Sequence, residues 1–206
     1  MSETSDRLEL YADYVCPFCY LGNQSLAQYR ETREEPLEVD WQPFDLRSGK
    51  RNPDGSIDHD VDDGKDDQYF EQAKQNVRRL QTEYDVEMAQ EIAIEVDSLP
   101  AQQASWYVKQ EYPDQWAAFD DAIYAALWQD GRDIGDTDVL ADVADAVGLP
   151  VDEIRSAIDD DGVRTELEDR FTMSQRQGIT GVPTFVYEGQ AARGAVPPAQ
   201  LERLLE

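Results

Sequence analysis

The order of apolar and polar residues along the chain predicts strands at both ends and helices between them. Leu8, Leu10 and Ala12 alternate with polar residues, as in a strand that buries one face. Helical spacing follows over residues 21–29, and residues 37–45 alternate again as a second strand that ends near a sheet edge or a turn. The first part of the chain therefore predicts the order β-α-β.

The middle of the chain carries five apolar stripes at helical spacing, after an exposed loop at 47–67 that is rich in Gly, Asp and Pro. The stripes are Tyr69/Phe70, Ala73, Val77, Leu80 and Tyr84; Trp116, Phe119, Ile123, Ala126 and Leu127; Val139, Leu140, Val143 and Val147; Val151, Ile154 and Ile158; and Val163, Leu167 and Phe171. Residues 91–97 alternate like a strand but stand among helices, so they receive no assignment. Two short strands around a Glu-Gly turn and a closing helix complete the pattern as β-β-α.

Composition excludes some classes of partner. Among 206 residues, 45 are acidic and 18 are basic, which gives a formal net charge of −27. No basic stripe is available to displace counterions from phosphates, so nucleic acid and anionic membrane surfaces are not expected partners. No apolar run approaches the roughly 20 residues of a membrane span. The composition resembles that of halophilic proteins, and we treat a halophilic source as a hypothesis.

The beginning of the sequence bears on location. It has neither the basic nor the apolar segment of a secretory signal peptide and passes directly into the first strand pattern. A cytoplasmic location is therefore expected. Structural disulfides are rare in that compartment, and a pair of thiols there is more often catalytic or metal-binding.

The two cysteines of the chain form one Cys-x-x-Cys motif directly after the first strand. This placement puts Cys16 at the N-terminus of a helix, where free backbone N–H groups stabilise a thiolate, and Pro17 suits the first helical turn. Cys16 is the expected nucleophile and the more exposed thiol. Cys19 lies on the same helical face, deeper and within disulfide reach, as the resolving thiol. Structural zinc needs about four ligands, and His59 lies in the acidic loop as a solvated residue, so no metal site is expected.

The motif and a distant segment together resemble a known family. Residues 13–22, Asp-x-x-Cys-Pro-x-Cys-Tyr-x-Gly, and residues 181–185, Gly-Val-Pro-Thr-Phe, are similar to the DsbA family of thioredoxin-fold proteins, and most of all to its FrnE-like branch. The resemblance extends over nearly the whole chain. It implies an α/β thioredoxin fold with a helical insertion, in which residues 1–61 and 176–206 form the thioredoxin-like domain and 62–175 the inserted all-helical domain.

The resemblance also implies a substrate site opposite the cysteines. Pro183 would be a cis-proline facing them, and the segment Val182, Pro183 and Thr184 would bind substrate, with the backbone of Val182 pairing with an extended chain. Phe18 stands where strongly oxidising relatives carry histidine, which implies a less oxidising pair. Leu10 occupies the position of the carboxylate that thioredoxins and DsbA proteins bury.

Three more side chains have alternative interpretations. Asp13, the carboxylate nearest to the cysteines in sequence, could relay a proton to Cys19, but helix capping or simple solvation is favoured. Trp41 and Phe44 could line a substrate groove, but core packing is favoured.

The leading function is a thiol–disulfide oxidoreductase for thiol- or disulfide-containing polypeptides, with oxidation, reduction and isomerisation all open. No cofactor is expected beyond a redox-active Cys16–Cys19 disulfide, and a low-molecular-weight thiol is a further candidate partner. One alternative is an enzyme like the 2-hydroxychromene-2-carboxylate isomerases and kappa-class glutathione transferases, which usually carry serine at the position of Cys16. The other is a non-catalytic, chaperone-like module that binds peptides near Val182.

Overall fold

A computed structural model describes residues 6–206 of the chain. The strands described are β1 (Asp6–Ala12), β2 (Leu37–Pro43), β3 (Thr184–Tyr187) and β4 (Gln190–Arg193). The helices described are α1 (Pro17–Thr32), α2 (Asp67–Tyr84), α3 (Leu99–Glu111), α4 (Pro113–Trp128), α5 (Thr137–Ala146), α6 (Val151–Ile158), α7 (Asp161–Arg176) and α8 (Pro198–Leu205). A single 3₁₀ turn, Ser48–Lys50, interrupts the loop after β2. Residues 91–97 form neither a helix nor a strand.

The strands form one mixed sheet in the order β2-β1-β3-β4. β1 runs parallel to β2, and β3 runs antiparallel to both β1 and β4. Glu188 and Gly189 connect β3 to β4 with positive φ angles of 48° and 81°, the conformation of a two-residue hairpin turn whose twist matches the strands. β2 lies at the sheet edge. Pro43 has no backbone N–H to donate, and at the end of an edge strand this leaves no carbonyl of a neighbouring strand without its hydrogen bond. The predicted order of elements along the chain, β-α-β before the helices and β-β-α after them, is confirmed.

Both faces of β1 are covered. Leu10 is in register with Phe185, and a Cβ built on Gly22 of α1 would lie 3.3 Å from the Phe185 ring. This face of the sheet therefore packs on α1. Tyr11 points the other way, and its hydroxyl donates a 2.8 Å hydrogen bond to Gln177, just after α7. The end of β1 near the motif, residues 10–12, is therefore buried and apolar, whereas Arg7 is exposed and Glu9 half-buried near its start.

Helices α3 to α7 occupy the chain between the two halves of the sheet, and α3 packs against α4, α6 and α7. The stripes predicted this block, but α3 was missed. Its buried residues are Leu99, Ala101, Gln102, Gln103, Ala104, Ser105, Trp106 and Val108. Because they lie on several sides of the helix and include polar side chains, no single apolar stripe marks it in the sequence.

The architecture is the predicted α/β thioredoxin fold with a helical insertion, and one core cluster contains residues of the sheet and of the inserted helices. α2 packs against α1, whereas α3 lies at the centre of the other helices. The division into 1–61 with 176–206 and 62–175 stays a prediction, and its residues 1–5 lie outside the described part. Within residues 6–206, no helix is both long and apolar enough to cross a bilayer.

Candidate active site

The motif lies where β1 ends and α1 begins. Cys16 is the N-cap residue of α1, with φ −89° and ψ 114°, and Pro17 is the first helical residue. The Cys16 carbonyl accepts hydrogen bonds from the backbone N–H groups of Cys19, at 3.0 Å, and Tyr20, at 3.3 Å. Cys16 therefore stands at the N-terminal, positive end of the α1 dipole.

Cys16 faces the segment before β3. Its Sγ donates a 3.6 Å hydrogen bond to the carbonyl oxygen of Val182, and the Val182–Pro183 peptide bond is cis. Thr184 Oγ1 donates to the carbonyl of Gly181 at 2.8 Å, which closes this turn. A Cβ on Gly22 would lie 3.1 Å from Pro183 Cγ, so the absence of a side chain at Gly22 allows α1 and this turn to approach closely. The structure thus brings together the motif and the segment that the resemblance assigned to substrate.

Both thiols are free and buried: Cys16 is 4% exposed and Cys19 is 1% exposed. Cys16 is the more exposed of the two thiols, as expected, but it is buried as well, with the Val182 carbonyl within hydrogen-bond distance of its sulfur. Burial raises the pKa of the Cys19 thiol well above its ordinary value, and a hydrogen bond with Cys16 raises it further. Cys19 therefore remains protonated near neutral pH unless a neighbouring group takes its proton.

Phe18, between the two cysteines, is partly exposed and packs against a small apolar cluster that includes Leu21 of α1 and Leu80 of α2, against which Val86 and Met88 also pack. The side chain that replaces histidine here thus anchors the motif to α2. A cavity of about 470 Å³ opens beside this cluster; Tyr20, Gln24, Asp85, Val86, Glu87, Met88, Ala89 and Gln129 line it.

Asp13 is completely buried, so the favoured interpretation of a capping or solvated carboxylate is wrong. No side chain caps α1, and the Asp13 carboxylate instead accepts hydrogen bonds from the backbone N–H of Val15, at 3.3 Å, and of Leu46, at 2.8 Å. Burial raises the pKa of Asp13 to about 6, the charge of Asp45 adds to the rise, and hydrogen bonds from Ser98 and the two amides oppose it. Such a carboxyl can exchange a proton near neutral pH.

The loop that contacts Asp13 is held by buried ion pairs. Arg51 bonds both oxygens of Asp45, at 2.8 and 3.1 Å, and both oxygens of Asp97, at 3.1 and 3.0 Å. The Arg51 side chain is 8% exposed, which corrects the prediction that 47–67 is an exposed loop throughout. These two bidentate pairs fix the segment that supplies the Leu46 amide.

A second buried carboxyl, Asp120 of α4, is linked to the chain just before the motif. Tyr14 donates a 2.6 Å hydrogen bond to it, and burial raises its pKa to about 7. The Tyr14 hydroxyl also bonds Ser105 at 2.7 Å, and Trp116 donates to the same serine at 3.0 Å. The sequence held one signal for this group: Asp120 falls four residues after Trp116, within the apolar stripe of α4.

Other candidates from the sequence do not reach the motif. Trp41 and Phe44 are buried in the core, as favoured, and Leu10 is 3% exposed in β1. His59 is exposed in its loop, and within residues 6–206 no group of acidic, histidine or cysteine side chains has the arrangement of a metal site.

Comparisons with known proteins agree with this geometry. Residues 7–206 match the model of the family described as DSBA-like thioredoxin domain. The chain is 26% identical to YwbO of Bacillus subtilis (strain 168), an uncharacterised protein, over 96% of this chain and 94% of that one. A probable DsbA oxidoreductase from Streptomyces coelicolor superposes with a TM-score of 0.78 at 20% identity, covering 97% of this chain and 88% of its own.

Two further solved structures share the fold. A 2-hydroxychromene-2-carboxylate isomerase superposes with a TM-score of 0.76 at 17% identity, over 96% of this chain and 93% of its own. The cytosolic disulfide reductase DsbM from Pseudomonas aeruginosa, solved with GSH, has a TM-score of 0.64 at 20% identity, over 97% and 98%. At these identities the likeness concerns the fold alone.

Proposed function

Because the chain belongs to the DSBA-like thioredoxin domain family, we propose that it is a thiol–disulfide oxidoreductase that acts on polypeptides through Cys16 and Cys19. The observation that carries the proposal is the position of the two thiols. Cys16 caps α1 beside the Val182 carbonyl, and Cys19 lies one helical turn further along. This is the arrangement that dithiol exchange requires.

In the reducing direction, the Cys16 thiolate attacks one sulfur of a substrate disulfide. A bond forms between Cys16 and that sulfur, and the other substrate sulfur leaves as a thiolate. Cys19 then loses its proton and attacks Cys16 Sγ, so that the Cys16–Cys19 disulfide forms and the second substrate thiolate leaves. Two electrons pass from the dithiol to the substrate. A second dithiol or a low-molecular-weight thiol then reduces the Cys16–Cys19 disulfide and returns the pair to its starting state. The same steps in reverse oxidise a substrate dithiol, and a second disulfide then restores the Cys16–Cys19 disulfide.

We propose that Asp13 accepts the proton that Cys19 loses during resolution of the mixed disulfide. The charge of Asp13 is one of the causes that raise the pKa of the Cys19 thiol, which means that the two groups are close. A carboxyl with a pKa of about 6 is partly ionised at neutral pH and can accept the proton. The carboxylate thus replaces the one that other thioredoxin-fold proteins carry at the position of Leu10.

Substrate would approach between Phe18 and the Val182–Pro183 turn. Val182 lies just before β3, whose pairing with β1 begins at Thr184 and Tyr11, so the backbone of Val182 is beyond the ladder between these strands. An extended chain could pair with it there, which would place a substrate sulfur beside Cys16.

Trapping of the first intermediate tests the proposal. A Cys19→Ser variant mixed with a disulfide-bonded peptide should accumulate a mixed disulfide through Cys16, whereas Cys16→Ser should form none. The wild-type protein should instead finish with an intramolecular disulfide and free peptide thiols, which mass spectrometry after acid quenching and alkylation distinguishes. A wild-type pair that never interconverts between dithiol and disulfide contradicts the proposal.

An isomerase-like activity is the second candidate, because a 2-hydroxychromene-2-carboxylate isomerase shares the fold over 96% of this chain. The resemblance noted above places serine at the position of Cys16 in such enzymes. A Cys16→Ser variant that loses disulfide exchange but retains glutathione-dependent isomerisation of a hydroxychromene carboxylate would favour this candidate. If neither activity depends on Cys16 and the protein still binds unfolded peptides, the chaperone-like alternative is favoured.

A further inference from the structure

A buried tyrosine hydroxyl with no hydrogen-bond partner belongs to a ring that packs beside the residues flanking the motif. Tyr124 of α4 is 2% exposed, and within the described part of the chain its hydroxyl is buried without a hydrogen bond. Its ring centroid lies 4.7 Å from that of Tyr14 and 6.1 Å from that of Tyr20. Tyr14 stands two residues before Cys16, and Tyr20 directly follows Cys19. Buried polar groups usually have a partner, so this one needs an explanation.

The other two hydroxyls of this aromatic cluster are engaged. Tyr14 donates to Asp120, and the Tyr20 hydroxyl accepts a 2.8 Å hydrogen bond from Gln129. Tyr124 therefore holds the uncommitted hydroxyl among these three rings.

The groups around the Tyr124 hydroxyl keep it protonated. Burial is the largest cause that raises its pKa well above the ordinary value. The charges of Cys19, Asp120, Tyr14 and Cys16 raise the pKa further, in that order. These are the titratable groups that face it from α1, from α4 and from the loop before α1. A phenol that holds its proton in this setting can donate one hydrogen bond. Among the charges that raise the pKa of Tyr124, that of Cys19 has the largest effect.

We propose that the Tyr124 hydroxyl donates a hydrogen bond to the Cys19 thiolate while that thiolate resolves the mixed disulfide. The proposal rests on the function proposed above. In this account Tyr124 is a catalytic residue, since in the resolving step its hydroxyl would bond a reacting atom, Cys19 Sγ. In the dithiol form the hydroxyl makes no hydrogen bond. It keeps its own proton throughout, because the proton of Cys19 goes to Asp13 and the electron pair goes to Cys16 Sγ.

The chemistry of the intermediate explains why the hydroxyl is unpartnered in the dithiol. With both thiols free, Cys19 is hydrogen-bonded to Cys16. Cys19 donates this hydrogen bond, because the bond raises the pKa of the Cys19 thiol, while Cys16 donates to the Val182 carbonyl. When Cys19 loses its proton in the resolving step, its thiolate is a buried anion that needs a donor. A donor fixed in advance beside the site stabilises the thiolate in the step in which the charge develops. Tyr124, held by two neighbouring rings, is such a donor.

Single-turnover kinetics of Tyr124→Phe test the proposal, because this variant removes one oxygen and keeps the ring. Formation of the mixed disulfide, measured in the Cys19→Ser background, should change by less than about twofold. Resolution, measured with Cys19 present, should slow about tenfold at neutral pH, as expected for the loss of a hydrogen bond to a charged group. The upper pH midpoint of resolution, which reports ionisation of Cys19, should rise by about one unit, since the thiolate loses a stabilising donor. The lower inflection, which reports ionisation of Asp13, should stay in place.

Tyr29→Phe is the matched control. Tyr29 lies on α1 and is 6% exposed, and its hydroxyl accepts a hydrogen bond from Arg33 rather than facing the motif. This variant should leave both steps and the pH midpoint unchanged. Thermal melting should show that Tyr124→Phe is at least as stable as the wild type, because the substitution removes an unpaired buried group.

Each outcome has one meaning. Slower resolution with an unchanged first step and a raised pH midpoint supports the assignment. Unchanged resolution, or equal slowing of both steps, overturns it and leaves Tyr124 as a packing residue. If the wild-type protein itself forms no Cys16–Cys19 disulfide after the mixed disulfide, the proposed function fails, and this result is seen before any tyrosine variant is made.

Discussion

Two carboxyl groups are buried near the Cys-x-x-Cys motif, one just before α1 and one on α4, and they differ in the partners that hold them. Asp13 lies between β1 and α1 and accepts hydrogen bonds from the backbone amides of Val15 and Leu46. Asp120 lies on α4 and receives its hydrogen bond from the hydroxyl of Tyr14. Burial raises both pKa values, to about 6 for Asp13 and about 7 for Asp120.

The difference shows that the chemistry of the partner matters as much as burial. A backbone N–H can only donate, so the two amides around Asp13 favour its ionised form and hold its pKa lower. A hydroxyl can donate or accept, so Tyr14 satisfies Asp120 in both protonation states. Asp13 is therefore suited to accept a proton from Cys19, whereas Asp120, with a pKa of about 7, is partly protonated at neutral pH beside the aromatic cluster.

Asp120→Asn should give the largest effect, because it removes the ionisation of the more perturbed carboxyl and keeps an acceptor for Tyr14. The raised pKa means that the folded state binds a proton more tightly than the unfolded chain between about pH 4 and pH 7, so stability falls as pH rises through this window. The variant should match the wild type at about pH 4. At about pH 8 it should be more stable by up to about 4 kcal/mol.

Urea denaturation of both proteins at the two pH values measures this difference. Asp142→Asn is the control, because its side chain is 70% exposed and pairs with Arg132 at the surface. It should shift stability by less than about 1 kcal/mol, with little dependence on pH over this range. A difference between Asp120→Asn and the wild type that does not grow from about pH 4 to about pH 8 would contradict the buried, titrating carboxyl.

Asp13→Asn should have the next largest effect, on resolution of the mixed disulfide. Without the carboxylate, Cys19 loses its proton acceptor, and loss of such a general base costs on the order of 100-fold in rate. The pH profile should also lose its inflection near pH 6, because ionisation of Asp13 switches the base on as pH rises through that value. Rapid quenching and alkylation measure resolution across this range.

Ser98→Ala is the matched control for Asp13, since it removes a hydrogen bond to the carboxylate and keeps the carboxylate itself. It should move the inflection upward and change the rate by only a few-fold, because the ionised form is less stabilised. If Asp13→Asn retains the wild-type rate and inflection, the proton of Cys19 goes elsewhere.

The sequence predicted the elements of this comparison unevenly. The strand order and the position of Cys16 at the start of α1 followed from local alternation and from spacing along the chain. The burial of Asp13 did not follow from the local sequence. The groups that bond its carboxylate include Leu46 and Ser98, which are 33 and 85 residues away. No window of sequence around the motif contains that information.

The helical side was harder to predict for a related reason. The stripe of α4 marked a buried face, and the position of Asp120 within that stripe indicated a buried carboxyl. Its partner could not be predicted, because Tyr14 belongs to the loop before α1, 106 residues away. α3, which supplies Ser105 to the same network, is buried on several sides and so lacks the polar face that reveals a helix.

Tyr14→Phe should give the smallest effect and should sharpen the comparison most directly. The hydroxyl lowers the pKa of Asp120 by bonding its carboxylate, so the loss should cost more when Asp120 is ionised. We expect a cost of about 1 kcal/mol at about pH 5, where the bond joins neutral groups, and about 2 kcal/mol at about pH 8, where it reaches a charge. In the Asp120→Asn background, the cost of Tyr14→Phe should no longer depend on pH, because no carboxyl then titrates at this site. If the cost of Tyr14→Phe still depends on pH in that background, the charge that Tyr14 stabilises is not that of Asp120. The contrast between Asp13 and Asp120 then needs another cause.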